Sequence, residues 1–209
     1  NFDGSSYVAW CWKAGGASIQ NTDGSTTAQI SANPTAGFSI VSYPGTAANA
    51  TIGHGLGKVP KWILVKERGS SANNWPSYHA GTGNTKALYL DLTNAQGGDF
   101  AGAWNNTTPN ATTFTVGTSN ETNRNGSNFI AYCWAEIEGF SKFGSYEGNN
   151  NADGPFIYCG FKPAWIMFKG IDSVTNWVIV DSSRDSVNSA YNDILFPDAN
   201  VAANTGANK

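Results

Sequence analysis

The side chains that could bind a ligand cluster in two neighbouring stretches of this chain. Tyr78, His79 and Lys86 follow closely after Trp75, and Trp104 opens the polar stretch Trp-Asn-Asn-Thr-Thr. Flat aromatic faces combined with imidazole and ammonium donors are groups that suit a sugar-binding surface. The pattern makes Trp104, Tyr78, His79 and Lys86 candidate glycan contacts, and it predicts that Trp104 is an exposed aromatic on a loop.

Packing in a hydrophobic core is the stronger interpretation of part of this cluster. Trp75 has a counterpart in Trp177 when the chain is compared with itself, and His79 then falls opposite Asp181. The comparison favours a core position for Trp75 and a variable, exposed position for His79.

The glycine-rich stretch at residues 51–58 resembles a phosphate-binding loop only superficially. It contains His54 and ends in Lys58, but the spacing of a P-loop is missing and Val-Pro leads onward into a strand rather than a helix. We therefore predict a tight turn in which His54 makes hydrogen bonds, without a role in metal binding or catalysis.

Carboxylates and other oxygen ligands show no catalytic or metal-binding pattern. Asp91, Glu136 and Glu138 could in principle act as an acid–base pair, but nothing around them indicates a shared cleft. Residues 149–154 are rich in oxygen ligands, yet they lack the spaced carboxylates and distal Glu of an EF-hand, so a polar turn is expected. The sequence predicts no catalytic residue, no metal site and no cofactor.

The three cysteines are interpreted as small, buried hydrophobic residues. Cys11 and Cys133 occupy the same place in two copies of a repeat, where we expect them to lie far apart, and Cys159 sits in a similar apolar stretch. An odd number of cysteines also cannot form a closed disulfide framework.

Composition excludes several classes of partner. The net charge is −3, only 13% of the 209 residues are charged, and Lys and Arg form no cluster, which argues against nucleic acid binding. No apolar run approaches the ~20 residues that a membrane-spanning helix needs, so no membrane insertion is expected. Abundant Gly, Asn, Ser and Thr together with 13% aromatic residues favour short strands joined by polar turns.

Internal repetition is the strongest pattern in the sequence. The segment YVAWCW at residues 7–12 returns as FIAYCW at 129–134, with Cys133 following Cys11 by 122 positions. The segment PKWILVK at 60–66 returns as PAWIMFK at 163–169, with an offset of 103 positions. The segments at 60–66 and 163–169 both begin with a proline that opens a strand, and each strand is followed by a polar turn and a second Trp. The sequence therefore predicts the same hairpin twice.

The unequal offsets divide the chain into four parts. We predict the closing strand of a preceding partial repeat at 1–14, a polar insertion or linker at 15–35, a complete β-sandwich repeat at 36–138 and a second, incomplete repeat at 139–209. Seven strands are predicted in the complete repeat, including 86–92 with its leucines facing inward. The predicted fold is all-β, with tandem antiparallel β-sandwich, jelly-roll-like domains.

The order of these motifs resembles a tandem β domain in structural proteins of tailed bacteriophages, especially marine and cyanobacterial ones. The resemblance extends over nearly the whole chain and rests on the segments at residues 7–13, 50–57, 60–66, 75–79, 83–86, 104–105 and 139–146. It brings no catalytic residues.

The resemblance implies a non-enzymatic virion protein. We expect part of a tail fibre, a spike or another appendage that contributes to host attachment, assembled in the host cytoplasm and located in the virion. Its expected partners are other virion proteins, further copies of itself in a homo-oligomer, with a trimer favoured, and a host surface glycan. Two alternatives stay open: a capsid decoration protein, and a carbohydrate-active module that is either lectin-like or a depolymerase.

Overall fold

The structure is a computed structural model that describes residue 4 and residues 7–69, 73–97, 100–184, 193–201 and 203–205. Its regular structure is almost entirely β, which confirms the predicted all-β fold. Two single-turn helices, α1 (Ala101–Trp104) and α2 (Asn120–Asn123), interrupt it. The strands are β1 (Ile19–Asn21), β2 (Ala28–Asn33), β3 (Phe38–Pro44), β4 (Ala50–Gly53), β5 (Pro60–Glu67), β6 (Pro76–His79), β7 (Leu88–Tyr89), β8 (Thr113–Val116), β9 (Asn128–Ala135), β10 (Trp165–Lys169), β11 (Trp177–Asp181), β12 (Asp193–Ile194) and β13 (Asn204–Thr205).

A seven-stranded antiparallel sheet forms the main layer, in the order β1-β2-β3-β9-β5-β6-β7. Strand β9 lies in the middle and pairs with β3 on one side and with β5 on the other. Pro60 stands first in β5, where the missing N–H costs no internal ladder bond, and the register shifts between Pro60 and Trp62. The proline therefore opens the strand, as the sequence predicts.

The inner face of this sheet packs against a smaller second layer, the antiparallel pair β4–β8. Alternate side chains of β9, among them Phe129, Ala131 and Cys133, point into this core together with Ile63 and Val65 of β5. The other layer contributes further buried residues, including Ile52, Leu56, Phe114 and Val116. Two layers with one shared apolar core make the sandwich.

The outer face of the sheet is also apolar, because the intervening residues of the same strands are large and hydrophobic. Trp62, Leu64, Phe38 and Trp134 form a second buried cluster there. The rings of Trp62 and Trp134 are stacked with centroids 4.1 Å apart across the β5–β9 pair. Such cross-strand aromatic pairs contribute roughly 0.5–1.5 kcal/mol beyond the area that they bury.

Strand β7 is shorter than predicted. The predicted strand at 86–92 placed all its leucines inward, but only Leu88 is a buried strand residue. Leu88 is paired with Ser77, whose hydroxyl accepts from the outer-cluster Trp62. The N–H of Leu90 donates to the Trp75 carbonyl, and Leu90 packs on the same outer cluster. Leu88 and Leu90 therefore share one face, as the alternation predicts, and only the predicted length of the strand was wrong, because the chain turns after Tyr89.

The segment at 15–35, predicted to be a polar insertion or linker with a strand-like stretch at 26–30, is part of the main sheet rather than a linker. This segment supplies β1 and β2, and β2 pairs with β3 along five residues, from Gln29↔Ser42 to Asn33↔Phe38. Ala28 and Ile30 are buried in the inner core. A segment this polar still forms a strand because only alternate residues need to be apolar at one end of a sheet.

The described residues before and after the sandwich, at 7–14 and within 139–205, form only some of the paired strands that the sandwich repeats predicted there would contain. Residues 7–14 belong to no strand, although a closing strand is predicted there; instead the Trp12 ring lies against Phe38 and Trp134. The described part of 139–205 forms two small ladders, β10–β11 and β12–β13. The turn of the β10–β11 hairpin docks on the sandwich through Thr175 N–H to the Thr93 carbonyl, at 3.1 Å.

A buried asparagine ties several turns to the sandwich. Asn123, at the end of α2, is 1% exposed, and its amide nitrogen donates to the carbonyls of Ala48 and Gly117 at 2.6 and 2.7 Å. Its amide oxygen accepts from the N–H of Thr46 at 2.7 Å. One side chain thus satisfies three backbone groups that would otherwise be without a partner in a buried place.

We predict that Asn123→Ala lowers the free energy of unfolding by roughly 3 kcal/mol or more, because each orphaned buried polar group costs about 1–3 kcal/mol. Denaturant unfolding followed by Trp fluorescence measures the loss. The control is Asn125→Ala, at an exposed position in the adjacent turn, with an expected change within about 0.5 kcal/mol. Equal stability of the two variants would contradict the assignment.

Candidate functional site

Trp104 is buried, and the prediction of an exposed loop aromatic was wrong. It is the last residue of α1, it is 2% exposed, and its indole N–H donates to the Lys86 carbonyl at 3.1 Å. Asn105 and Asn106 follow with φ of 49° and 48°. Asparagine adopts this left-handed conformation more readily than most residues, so the chain reverses direction and leaves the indole in the inner core.

Tyr78 lies next to Trp104 in the same core. Its side chain is buried, and its ring meets the indole edge to face with centroids 6.0 Å apart. Burial raises the pKa of Tyr78 above its ordinary value. The sequence correctly grouped Tyr78 with Trp104, but neither ring offers a face to a sugar.

His79 and Lys86 are half-buried at the edge of this region. The Nδ1 atom of His79 accepts from the N–H of Gly81 at 3.0 Å, and its ring lies 6.5 Å from that of Phe143. Burial lowers the pKa of His79. Of the four predicted glycan contacts, Trp104 and Tyr78 are therefore buried in the core, and only His79 and Lys86 are partly exposed. The four residues do not form an exposed aromatic surface.

Trp75 packs on the outer cluster, as its repeat counterpart indicates. The Lys66 ammonium lies 5.4 Å from its ring centroid, and the Trp75 N–H donates to Asp91 Oδ1 at 2.9 Å. Of the other acidic candidates, Glu136 accepts from Lys142 Nζ at 2.7 Å. Each of these two carboxylates has its own structural partner.

His54 is fully buried in the predicted turn. Leu56 N–H donates to its Nδ1 at 3.2 Å, so the ring proton is on Nε2, which donates to the Asn110 carbonyl at 3.1 Å. Burial is the main reason that the pKa of His54 is lowered. The hydrogen-bonding turn residue predicted from the sequence is confirmed.

The cysteines differ in environment. Cys133 is buried in the inner core, as predicted, and burial raises its pKa. Cys11 is exposed and Cys159 half-buried, so the prediction of buried thiols was wrong for these two. Residues 149–154 form the expected polar turn, in which Asn149 and Asn151 accept from the N–H groups of Asn151 and Asp153.

A polar cleft that sequence reasoning missed lies at the end of the β5–β9 pair. It has a volume of about 450 Å³ and is formed by the end of β5 and the turn that precedes β9. The end of β5 lies next to the start of β9, because the Arg68 N–H donates to the Asn128 carbonyl at 2.7 Å and so continues the β5–β9 ladder. The residues that line the cleft are Glu67, Arg68, Gly69, Arg124, Gly126, Ser127 and Asn128.

Glu67 is the buried carboxylate of this cleft. Its Oε1 accepts from Ser127 Oγ at 2.5 Å and its Oε2 from Asn73 Nδ2 at 2.6 Å. Arg124 Nη1 lies 3.9 Å from Oε1, and Arg124 Nη2 donates to Asn73 Oδ1 at 3.3 Å. The carboxylate is compensated by these partners, and the guanidinium of Arg124 is held at a fixed place on the cleft wall.

The cleft carries more positive than negative charge. Arg124 is partly exposed and Arg68 exposed, while Glu67 is buried beneath them. Two guanidinium groups suit a carboxylate or another anion. The sequence does not show that Arg124 comes close to Glu67, since that contact joins residues far apart in the chain.

Comparison with known proteins gives a family and no function. The family described as a domain of unknown function, DUF7483, matches residues 1–209. The chain belongs to this family. No curated protein and no solved structure matches it.

Two further observations concern the described residues of this DUF7483 chain. Among its described residues, no group of three or more His, Cys, Asp or Glu side chains is placed to hold a metal ion. In the same part of the chain, no helix has the length and apolar character needed to cross a membrane.

We predict that Trp104→Ala lowers the free energy of unfolding by about 3–5 kcal/mol, because it removes a buried indole and leaves a cavity. Thermal and denaturant unfolding measure it. Tyr146→Ala is the control: Tyr146 is an exposed aromatic, and its loss is expected to change stability by less than about 0.5 kcal/mol. A Trp104→Ala variant as stable as this control would mean that the indole is not in the core.

We predict that stability falls between pH 7.5 and 5.5 because of both histidines. Their pKa values are lowered in the folded chain, so the unfolded chain binds more protons as the pH passes the ordinary value of about 6.5. The loss is at most about 1.4 kcal/mol for each histidine. His54→Gln and His79→Gln each remove part of this slope, and the double variant, which lacks both histidines of the chain, removes most of it. An unchanged slope in the double variant would contradict this.

Proposed function

We propose that this chain is a non-enzymatic structural protein of a bacteriophage virion, in a tail fibre, spike or other appendage that contributes to host attachment. The observation that supports it is the seven-stranded sheet with an apolar cluster on each face. Both clusters are built from the same strands, so the sheet is held rigidly from two sides. Rigidity of this kind suits a module that bears load and presents a surface.

The edges of the sheet support a role in an assembly of many copies. The strands at its two ends, β1 and β7, are only three and two residues long. Short edge strands limit unwanted edge-to-edge pairing, which is a hazard wherever identical chains are concentrated. Many identical copies of a virion component are concentrated in the host cytoplasm during assembly, so this protection suits the proposed role.

The sequence repeat and the resemblance to phage structural proteins give the proposal its context. The partners proposed are other virion proteins and further copies of this chain, with a trimer as the homo-oligomer. A head decoration protein is the alternative within the same class.

Location on the particle tests this proposal. Mass spectrometry of gradient-purified virions of the phage that encodes the chain is expected to detect it in fixed proportion to the major capsid protein. Gold-labelled antibody against the chain is expected at the tail or appendage. Labelling of the head would favour decoration, and absence of the chain from washed virions would overturn the proposal.

Glycan binding in the polar cleft is the second candidate, favoured by the arginines that line it. We propose an acidic sugar as the ligand, because guanidinium groups pair with carboxylates through two parallel hydrogen bonds. The earlier candidates Trp104 and Tyr78 do not take part, since both are buried in the core.

We predict that Arg68→Ala weakens binding of an oligogalacturonate probe by about tenfold, which corresponds to the loss of one charge-assisted contact. Saturation-transfer NMR and calorimetry measure the binding. Lys58→Ala is the control, because Lys58 is an exposed cation outside the cleft. Equal losses in both variants, or no binding by the unaltered chain, would contradict a glycan site in the cleft.

A further inference from the structure

The β10–β11 hairpin is a structural copy of the β5–β6 hairpin. In β5–β6, Trp62 is paired with His79 and Leu64 with Ser77. In β10–β11, Trp165 is paired with Asp181 and Met167 with Ile179. These pairs coincide when the first strand is shifted by 103 positions and the second by 102, so the sequence repeat is also a repeat of strand register.

The two hairpins differ in what lies on their other side. Strand β5 is flanked by β9, with Trp62 opposite Trp134 and Ile63 opposite Cys133. Within the described residues, β10 forms a ladder with β11 only. The second edge of β10 therefore has a sequence similar to that of β5, whose corresponding edge binds β9, but it has no strand on it.

The sequence counterpart of β9 is the segment at residues 7–12, and the structure places its rings on β10. The centroid of Trp12 lies 5.6 Å from that of Trp165, and the centroid of Trp10 lies 6.4 Å from it. By the repeat, Trp12 corresponds to Trp134 and Trp165 to Trp62, the pair that stacks in the sandwich. The aromatic contact is present, whereas residues 8–12 belong to no strand.

The face on which each side chain lies agrees with this correspondence. Met167 packs against the outer cluster, whereas Ile166 and Phe168, on the opposite face of β10, are each 40% exposed. Cys11 is exposed as well. A strand that places Trp10 and Trp12 beside Trp165 brings Cys11 to the face of Ile166, because successive side chains alternate.

We propose that residues 8–12 of this same chain add to the second edge of β10 as an antiparallel strand. The register follows from β5–β9: Trp12 opposite Trp165, Cys11 opposite Ile166, Trp10 opposite Met167, Ala9 opposite Phe168 and Val8 opposite Lys169. The edge of β10 is thus a strand-binding site, and its ligand is a segment with the sequence of β9. This inference goes beyond the proposed function and does not depend on it.

Disulfide trapping tests the register. In a Cys159→Ser background, Ile166→Cys is expected to form a disulfide with Cys11 under mild oxidation, because directly opposed residues have Cα atoms about 4.5–5.5 Å apart. Phe168→Cys is the matched control: it lies on the same face with the same exposure, but two residues out of register with Cys11, beyond the reach of a disulfide. Peptide mapping by mass spectrometry and non-reducing electrophoresis identify the product.

The result expected is a disulfide within one chain for Ile166→Cys at a yield at least tenfold above Phe168→Cys. Equal yields, or a higher yield for Phe168→Cys, would overturn the register. Disulfides only between chains would overturn the assignment of the strand to the same chain, and failure of Ile166→Cys to react would overturn the pairing.

Hydrogen exchange on the unaltered chain keeps the test independent of any variant's folding. Added-strand pairing is expected to slow exchange of the amides of residues 8–12 at least tenfold relative to an exposed turn such as residues 149–154. Exchange at the rate of that turn would overturn the proposal. Neither experiment involves a virion, so failure of the proposed strand pairing is distinguishable from failure of the proposed function.

Discussion

The whole sandwich depends on one strand being paired on both sides and packed on both faces. Strand β9 is hydrogen-bonded to β3 and to β5, and its odd-numbered residues from Phe129 enter the inner core while Tyr132 and Trp134 enter the outer cluster. A shift of one residue would exchange the two sets of side chains, placing bulky rings where small residues fit. The size difference between Ala131 or Cys133 and the neighbouring rings therefore fixes the register of three strands.

The same constraint explains why two of the predicted glycan residues, Trp104 and Tyr78, are not at the surface. The second layer, β4–β8, is much smaller than the sheet that it covers, and α1 fills part of the space that remains. Trp104 provides the bulk, and its indole N–H finds a carbonyl on the adjacent segment. A large aromatic in a polar stretch of sequence is therefore a core residue here.

Polar side chains are used to fasten turns as much as to face water. Asn123 joins the end of α2 to the loop at residues 46–48 and to Gly117. Glu67 joins the end of β5 to the turn before β9. The cleft at Glu67 arises where the paired strands separate. Its arginines stand beside a compensated carboxylate, so the charge available to a ligand is positive.

The sequence by itself determined most strands of the sandwich and the repeated hairpin. Apolar alternation, Pro60 at a strand start and the second copy of the Pro-x-Trp-Ile motif are local signals, and the hairpin registers of β5–β6 and β10–β11 follow them. It also indicated the turn at His54. The division into tandem repeats stays a prediction.

Only the tertiary structure decided which face each residue takes and which distant segments meet. Trp104 is buried because two asparagines with positive φ reverse the chain, residues 15–35 form strands because an edge of β3 is there to pair with them, and Arg124 comes near Glu67 because β9 lies beside β5. Burial depends on the area that other segments cover, and such contacts join residues far apart in sequence. Local patterns carry no information on those contacts, which is why they predicted most strands of the sandwich but not the site.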